Sequence, residues 1–229
     1  MKRIGIIGSG NMGRALGVRL AQLGHAVTFG ARRHEQAEAA ASLAGSGAKA
    51  GSNEEAAAFG EILIWTLREP DPTQVLADPQ LLDGKVVVDL NNRSYAPDAK
   101  TGAWFQEAIA ERLQANAPRA RVVKAWNTIA MESFDTDPAA LRASKAQTFI
   151  AGADAAAKGL VAELSADLGF AAVDLGDGPA AFRAAEALGD IIRLLMIDGG
   201  RGGRAHLVLT ELPEPMLASI GEREGSSYS

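Results

Sequence analysis

The chain contains no cysteine, which excludes disulfides, thiol nucleophiles and thiolate metal ligands. Aromatic residues make up only 5% of its 229 positions, so the core must be built mostly from Ala, Leu, Ile and Val. An excess of one charge is also missing. A net charge of −5 gives no electrostatic footprint for nucleic acid, and no polybasic stretch suits an anionic membrane. No run approaches the roughly 18 apolar residues of a spanning helix, and the apolar run at residues 3–7 is too short for a signal peptide. The three histidines do not group with Asp or Glu at metal-ligand spacing, and neither a Gly-x-Ser-x-Gly nor a Ser/His/Asp order appears. A soluble, cytoplasmic protein with a small-molecule substrate, and with no nucleic-acid, membrane or metal partner, is the expectation.

What is present is an alternation of strand and helix patterns. Arg3–Ile7, Ala26–Phe29, Ala48–Ala50, Ile62–Thr66, Val86–Asp89 and Arg121–Ala125 read as strands. Between them lie helix patterns at Gly13–Leu23, His34–Ala44, from Asn53 as N-cap, from Asp71-Pro72 to about Leu82, and at Ala103–Gln114, where Trp104 is a candidate inward residue. In the first of these Met12, Leu16, Leu20 and Leu23 recur at helical spacing. The pattern resumes with strands Thr148–Ala151 and Ala172–Leu175 and helices Asp154–Leu168 and Ala180–Met196. Strands separated by such helices imply right-handed crossovers and a parallel sheet. The spacing predicts an α/β, doubly wound, mostly parallel sheet over residues 1–130, a small C-terminal α/β extension over 131–212, and a loose tail over 213–229.

The first turn carries the chemistry. Gly8-Ser9-Gly10-Asn11-Met12-Gly13 fits Gly-x-Gly-x-x-Gly between a strand and a helix. Gly8 suits the tight turn, Gly10 a close approach of backbone to a pyrophosphate, and Gly13 close packing of helix on sheet. The N–H groups of the helix N-terminus then face the phosphates. The motif alone is weak, but its position after a strand, before a patterned helix and ahead of a second strand makes dinucleotide binding on a Rossmann fold the reading. A Walker-type loop is excluded, since no Gly-Lys-Ser/Thr follows.

An NAD site places an acidic residue at the end of the second strand, on the ribose 2′-OH. Here Phe29-Gly30-Ala31 runs into Arg32-Arg33, and guanidinium forks suit a phosphate in both charge and geometry. Arg32 and Arg33 are therefore assigned to the 2′-phosphate of NADP(H), and Ala31 beside them to the cofactor site.

The opening Ile4–Gly13 stretch, the Gly30-Ala31-Arg32-Arg33 turn, the segment Val122-Val123-Lys124-Ala125-Trp126-Asn127-Thr128-Ile129 and the late helix with its glycine-rich loop (Leu188–Gly203) together resemble the F420-dependent NADP oxidoreductases. The resemblance covers almost the whole chain. The first two motifs are shared with pyrroline-carboxylate reductases, imine reductases and hydroxyacid dehydrogenases, which carry a large helical C-terminal domain. The resemblance implies hydride transfer between the nicotinamide and a flat partner, deazaflavin (coenzyme F420) or flavin. It also implies a homodimer. It names no acid/base residue, because such chemistry resides in the cofactors. Two departures stand near the expected hydride-transfer site: Asp89–Arg93 lacks an Asn-Pro, and Trp126 stands for a Phe or His. Reduction of a small imine or carbonyl compound, or non-catalytic sensing of NADP(H), are the alternatives.

Ligands of open α/β sheets sit beyond the carboxyl ends of the strands. Thr66 and Leu67 are expected beside the nicotinamide ribose, with Asn91 or Asn92 on its carboxamide or ribose. Trp126 and Asn127 are placed near the flat partner, with core packing as the alternative for Trp126. Arg201 or Arg204, in the Gly199–Gly203 loop region, is a candidate for an anionic tail. His25 reads as structural. His34 near the adenine and His206 near the substrate mouth are weaker candidates.

Overall fold

A computed structural model describes residues 1–93, 106–211 and 213. Strands β1 (Arg3–Ile7), β2 (Ala26–Gly30), β3 (Lys49–Gly51), β4 (Ile62–Trp65), β5 (Val86–Asp89) and β6 (Arg121–Lys124) form one six-stranded parallel sheet in the order β3-β2-β1-β4-β5-β6. The strand order reverses between β1 and β4, the neighbours from which connections leave in opposite directions, and a crevice opens beyond their carboxyl ends.

Helices cover both faces, which is why β4 and β5 are buried at every position. Ile4, Ile6, Ile62, Ile64 and Val88 pack on one face with α1 (Asn11–Gln22), α2 (His34–Ala44) and α6 (Ala155–Leu168). Ile7, Leu63, Trp65 and Val87 pack on the other with α3 (Asn53–Phe59), α4 (Ile109–Asn116) and α7 (Gly178–Arg193). Alanine dominates the buried stripes of α2 and α3. Small side chains bring these helices close to the sheet, so few aromatics are needed.

After β6 come α5 (Pro138–Ala143) and a parallel pair, β7 (Gln147–Ile150) with β8 (Ala171–Asp174). This pair joins the main sheet's edge through an antiparallel bridge between Lys124 and Ala151. The α/β, mostly parallel Rossmann-like architecture read from the sequence is thus observed.

Several local readings are corrected. The segment Asp71–Leu82 is two short 3-10 turns, Pro72–Gln74 and Pro79–Leu82, capped by Asp71 and Asp78. Pro79 supplies the reason: it has no N–H and drives Asp78 out of the helical region (φ −119°, ψ 94°), so one helix cannot run through. The cap of α3 is Ser52 rather than Asn53. Its hydroxyl accepts from Glu55 N–H, and Glu55 accepts from Ser52 N–H. Helix α4 starts at Ile109, behind an extended Ala108. Trp104 and the tail beyond Pro213 lie outside the described residues. The last helix ends at Arg193 and loosens into a π-type turn, Leu194–Asp198.

Candidate functional site: a dinucleotide crevice

The crevice is built outward from the end of β1. Gly8 N–H donates to Gly30 O at 3.1 Å, the Ser9 hydroxyl donates to the same carbonyl at 2.9 Å, and the Thr66 hydroxyl lies 2.6 Å from Gly8 O. The glycine turn is thereby tied to β2 and β4. A Cβ on Gly13 would stand 2.2 Å from Gly8 O, so this glycine is required by the protein's own packing. Gly10 differs: its φ of −73° suits any residue, and a Cβ there would meet no atom within 4 Å. The space beside Gly10 is open, as a backbone that must approach a pyrophosphate needs it to be. Gly10 also N-caps α1 without a side-chain partner, so the first-turn N–H groups remain available to an anion.

Beyond Gly10 toward β2 lies a cleft of about 500 Å³ whose walls include Gly8, Ser9, Ala31, Arg32, Arg33 and Leu67. Both arginines are exposed, and among the described residues neither guanidinium has an ion-pair or hydrogen-bond partner. Toward β5 and β6 lies a second cleft of about 380 Å³. It is bounded by Gly10–Gly13, Thr66, Arg68, Asn91, Asn92, Asn127–Ala130 and, from the C-terminal extension, Ile192, Arg193 and Met196.

Helix α7 closes this second cleft by direct contact. Asn127 Nδ2 donates to Ala185 O at 2.7 Å and to Asn92 Oδ1 at 2.9 Å, while Asn92 Nδ2 donates to Asn127 O at 2.7 Å. The helix comes this close because position 189 is glycine: a Cβ there would lie 2.1 Å from Asn92 Oδ1. Among the described residues Asn127 Oδ1 is buried without a partner, in a residue that lines the cleft. An open glycine backbone, an uncapped helix start, two unpaired guanidiniums and an orphaned amide oxygen together fit a phosphorylated dinucleotide.

Behind the second cleft is a cluster of buried charges. Lys124 ends β6 beside Asp89 at the end of β5. Its ammonium donates to Asp89 Oδ2 at 2.7 Å, to Glu186 Oε2 on α7 at 3.0 Å, and to the Asn91 carbonyl. Glu186 also accepts from Arg93 N–H at 2.8 Å and Ile109 N–H at 3.0 Å, and Arg93 pairs with Asp190 at 2.9 Å. Burial pulls the Lys124 ammonium down, but Asp89 and Glu186 outweigh it and hold the ammonium above its ordinary range. Burial pushes Glu186 up, only partly opposed by Lys124. The cluster pins α7 to the sheet and fixes Asn91, whose amide donates to Trp65 O at 2.9 Å, Leu67 O at 3.0 Å and Asp89 Oδ1 at 2.7 Å.

The two clefts thus bring together Gly8, Ser9, Gly10, Asn11, Met12, Gly13, Ala31, Arg32, Arg33, Thr66, Leu67, Asn91, Asn92 and Asn127. Trp126 is the exception. Its side chain is 0% exposed and its indole N–H donates to Ser165 Oγ at 3.0 Å, so it is a core residue and does not wall a ligand. The Asp89–Lys124–Glu186 cluster was missed, as were the cleft residues Arg193 and Met196. A charge at the carboxyl end of each of two strands with buried valine interiors was the available signal. Arg201, Arg204 and His206 lie on a separate cleft beside α7. His206 stacks on Phe170 and bonds the Gln147 backbone, and burial lowers its pKa. His25 is buried beside Asp167, and His34 is exposed against Glu38. No group of His, Asp or Glu among the described residues could hold a metal, and no described helix is long and apolar enough to cross a membrane.

Residues 3–93 match the family model described as NADP oxidoreductase, coenzyme F420-dependent. A structure described as an F420-dependent NADP-reductase of Arthrobacter sp. FB24 is 27% identical, with a TM-score of 0.77, covering 92% of this chain and 100% of that one. Metalloreductase STEAP3 of Rattus norvegicus is 30% identical over 174 residues, covering 76% of this chain and 34% of the relative. The chain therefore spans about a third of the length of the curated relatives it matches. A reductive aminase of Aspergillus terreus, solved with NADPH, shares the fold at 22% identity and a TM-score of 0.60, covering 87% of this chain and 63% of that one. Residues 3–93 are thus similar to the NADP oxidoreductases described as coenzyme F420-dependent, and the chain has a Rossmann-like fold.

Proposed function

We propose that this chain binds NADP(H) across the two clefts and transfers a hydride between the nicotinamide and a flat acceptor, deazaflavin (coenzyme F420) or flavin. The carrying observation is the build of the second cleft. Met12, Leu90, Ile129, Ile192 and Met196 offer an apolar wall, while Asn91, Asn92 and Asn127 offer amide edges. Flat heterocycles with apolar faces and polar rims suit such a wall. The ionisable side chains lining the cleft among the described residues are Arg68 and Arg193, whose guanidinium forks suit anionic groups. The cofactor supplies the hydride chemistry, and the residues bind and orient. Gly10 and the start of α1 hold the pyrophosphate, Arg32 and Arg33 the 2′-phosphate, and Asn127 Oδ1 accepts from the nicotinamide half.

Two measurements test this. NADPH oxidation is followed with the purified protein and coenzyme F420, then FMN or FAD, then a panel of imines and carbonyls. Turnover with imines but not with deazaflavin or flavin overturns the proposed acceptor. Tight NADPH binding with no oxidation by any acceptor favours a sensing role. Separately, Arg32→Ala with Arg33→Ala is expected to weaken NADPH binding by about ten- to hundredfold per residue, each charge-assisted contact contributing roughly 1.5–3 kcal/mol, with little change for NADH. Equal losses for both nucleotides refute the 2′-phosphate assignment.

A further inference from the structure

A third cleft, of about 320 Å³, continues from the arginine cleft and shares Arg32, Asn53 and Leu67 with it. It runs on past Gln74 and Val75, in the 3-10 turn region after β4. On the NADP(H) reading, Gly8–Gly10 and the two arginines fix the phosphorylated ribose in the arginine cleft, so the base leaves the ribose into one of the adjoining spaces. The alternative space, of about 220 Å³, is walled by Arg14, Arg33, Glu35 and Gln36, with Ala39 as its apolar contribution. The third cleft is also partly polar, with Arg68, Glu69 and Gln74 in its walls, but it sets two larger apolar side chains, Leu67 and Val75, beside the planar guanidinium of Arg32. A flat, weakly polar ring stacks between such surfaces.

Asn53 forms the inner wall where the two clefts meet. It is only 4% exposed, and among the described residues its Oδ1 is buried without a partner and its Nδ2 donates to no acceptor. A buried carboxamide oxygen left without a donor is costly. Capping does not explain it, because Ser52 and Glu55 already cap α3. An amide presents a donor and an acceptor side by side, the complement of the adenine edge formed by the 6-amino group and a ring nitrogen.

We infer that Asn53 is a specificity-determining residue that reads the 6-amino edge of the adenine base, distinguishing adenine from 6-oxopurine dinucleotides. The inference rests on the NADP(H) reading above and adds base discrimination to it.

The test compares the dissociation constants of NADPH, its hypoxanthine analogue (6-oxo in place of 6-amino) and reduced nicotinamide mononucleotide, which lacks the adenosine half. They are measured for the wild-type protein, Asn53→Leu and Asn53→Ala, with melting curves to show that each variant is folded. Wild type is expected to prefer NADPH over the hypoxanthine analogue by about tenfold, within the range of a single amide–base readout. In either variant that preference falls to near unity, through weaker NADPH binding with the analogue and the mononucleotide unchanged. A preference that survives in both variants, or is absent from the wild type while NADPH still binds, overturns the role of Asn53 alone. Failure of the wild type to bind NADPH overturns the NADP(H) reading and this inference with it.

Discussion

Lys124→Met isolates the buried charge cluster. Methionine keeps most of the side-chain length but removes the ammonium from a site that is 0% exposed. Asp89 Oδ2 and Glu186 Oε2 then lose donors at 2.7 and 3.0 Å and face one another without a cation between them. Removing one partner from a buried, hydrogen-bonded ion pair costs about 3–5 kcal/mol, a large share of the roughly 5–15 kcal/mol that stabilises a domain. With a urea m-value of about 2–3 kcal/mol/M, the midpoint is expected to fall by about 1–2.5 M. The pH dependence carries a sign. Glu186 is already held above its ordinary range by burial, so the folded state keeps its proton at pH values where the unfolded state has released it. Stability from that proton is fully present below the unfolded carboxyl pKa of about 4.3 and is lost as pH rises through the raised folded value. Removing Lys124 takes away the opposing attraction and raises Glu186 further. The deficit of Lys124→Met is therefore largest at pH 7–8 and shrinks as the buffer approaches pH 5. Urea unfolding of both proteins from pH 5 to 8, with circular dichroism as readout, measures it. A deficit below about 1 kcal/mol, or one that does not change with pH, refutes the account of the cluster as a buried, mutually dependent set.

The glycine turn yields a contrasting pair. Gly10→Ala places its Cβ in open space, so the stability loss stays below about 1 kcal/mol while NADPH binding weakens by about tenfold or more, equivalent to ~1.4 kcal/mol. Gly13→Ala drives a Cβ to 2.2 Å from Gly8 O and is expected to lower stability by about 1–3 kcal/mol or more; calorimetric titration beside thermal melts separates the two effects. Ser165→Ala strands the buried indole N–H of Trp126, whose acceptor is Ser165 Oγ at 3.0 Å. It is expected to cost about 1–3 kcal/mol in chemical denaturation, with NADPH affinity unchanged because Trp126 lies in the core.

Sequence information runs furthest where one residue type answers one local constraint. The glycines at 8, 10 and 13 each meet a different steric requirement over six positions, so the turn, its helix and its ligand class were legible together. Arg32 and Arg33 were legible for a related reason: the strand end defines a register, and charge at that register has one use. The Asp71–Leu82 helix failed because a good cap and Pro at the first helical position outweighed the second Pro-containing turn seven residues on. Lys124 and Glu186 show a different limit. They lie 62 positions apart and meet at 3.0 Å because α7 folds back over the carboxyl ends of β5 and β6, a contact that requires Gly189 to have no side chain against Asn92. Local pattern does not encode that return. It does leave a residue of evidence: Asp89 and Lys124 are charges placed at the buried carboxyl ends of valine-rich strands, where a lone charge would be prohibitively desolvated. Such residues imply an unseen partner, and the partner must come from an element that closes over the strand ends. Here that element is α7, which also supplies Ile192 and Arg193 to the second cleft. The charges that were unexplained as sequence and the wall of the candidate hydride-transfer cleft therefore have one cause, the docking of the C-terminal helix.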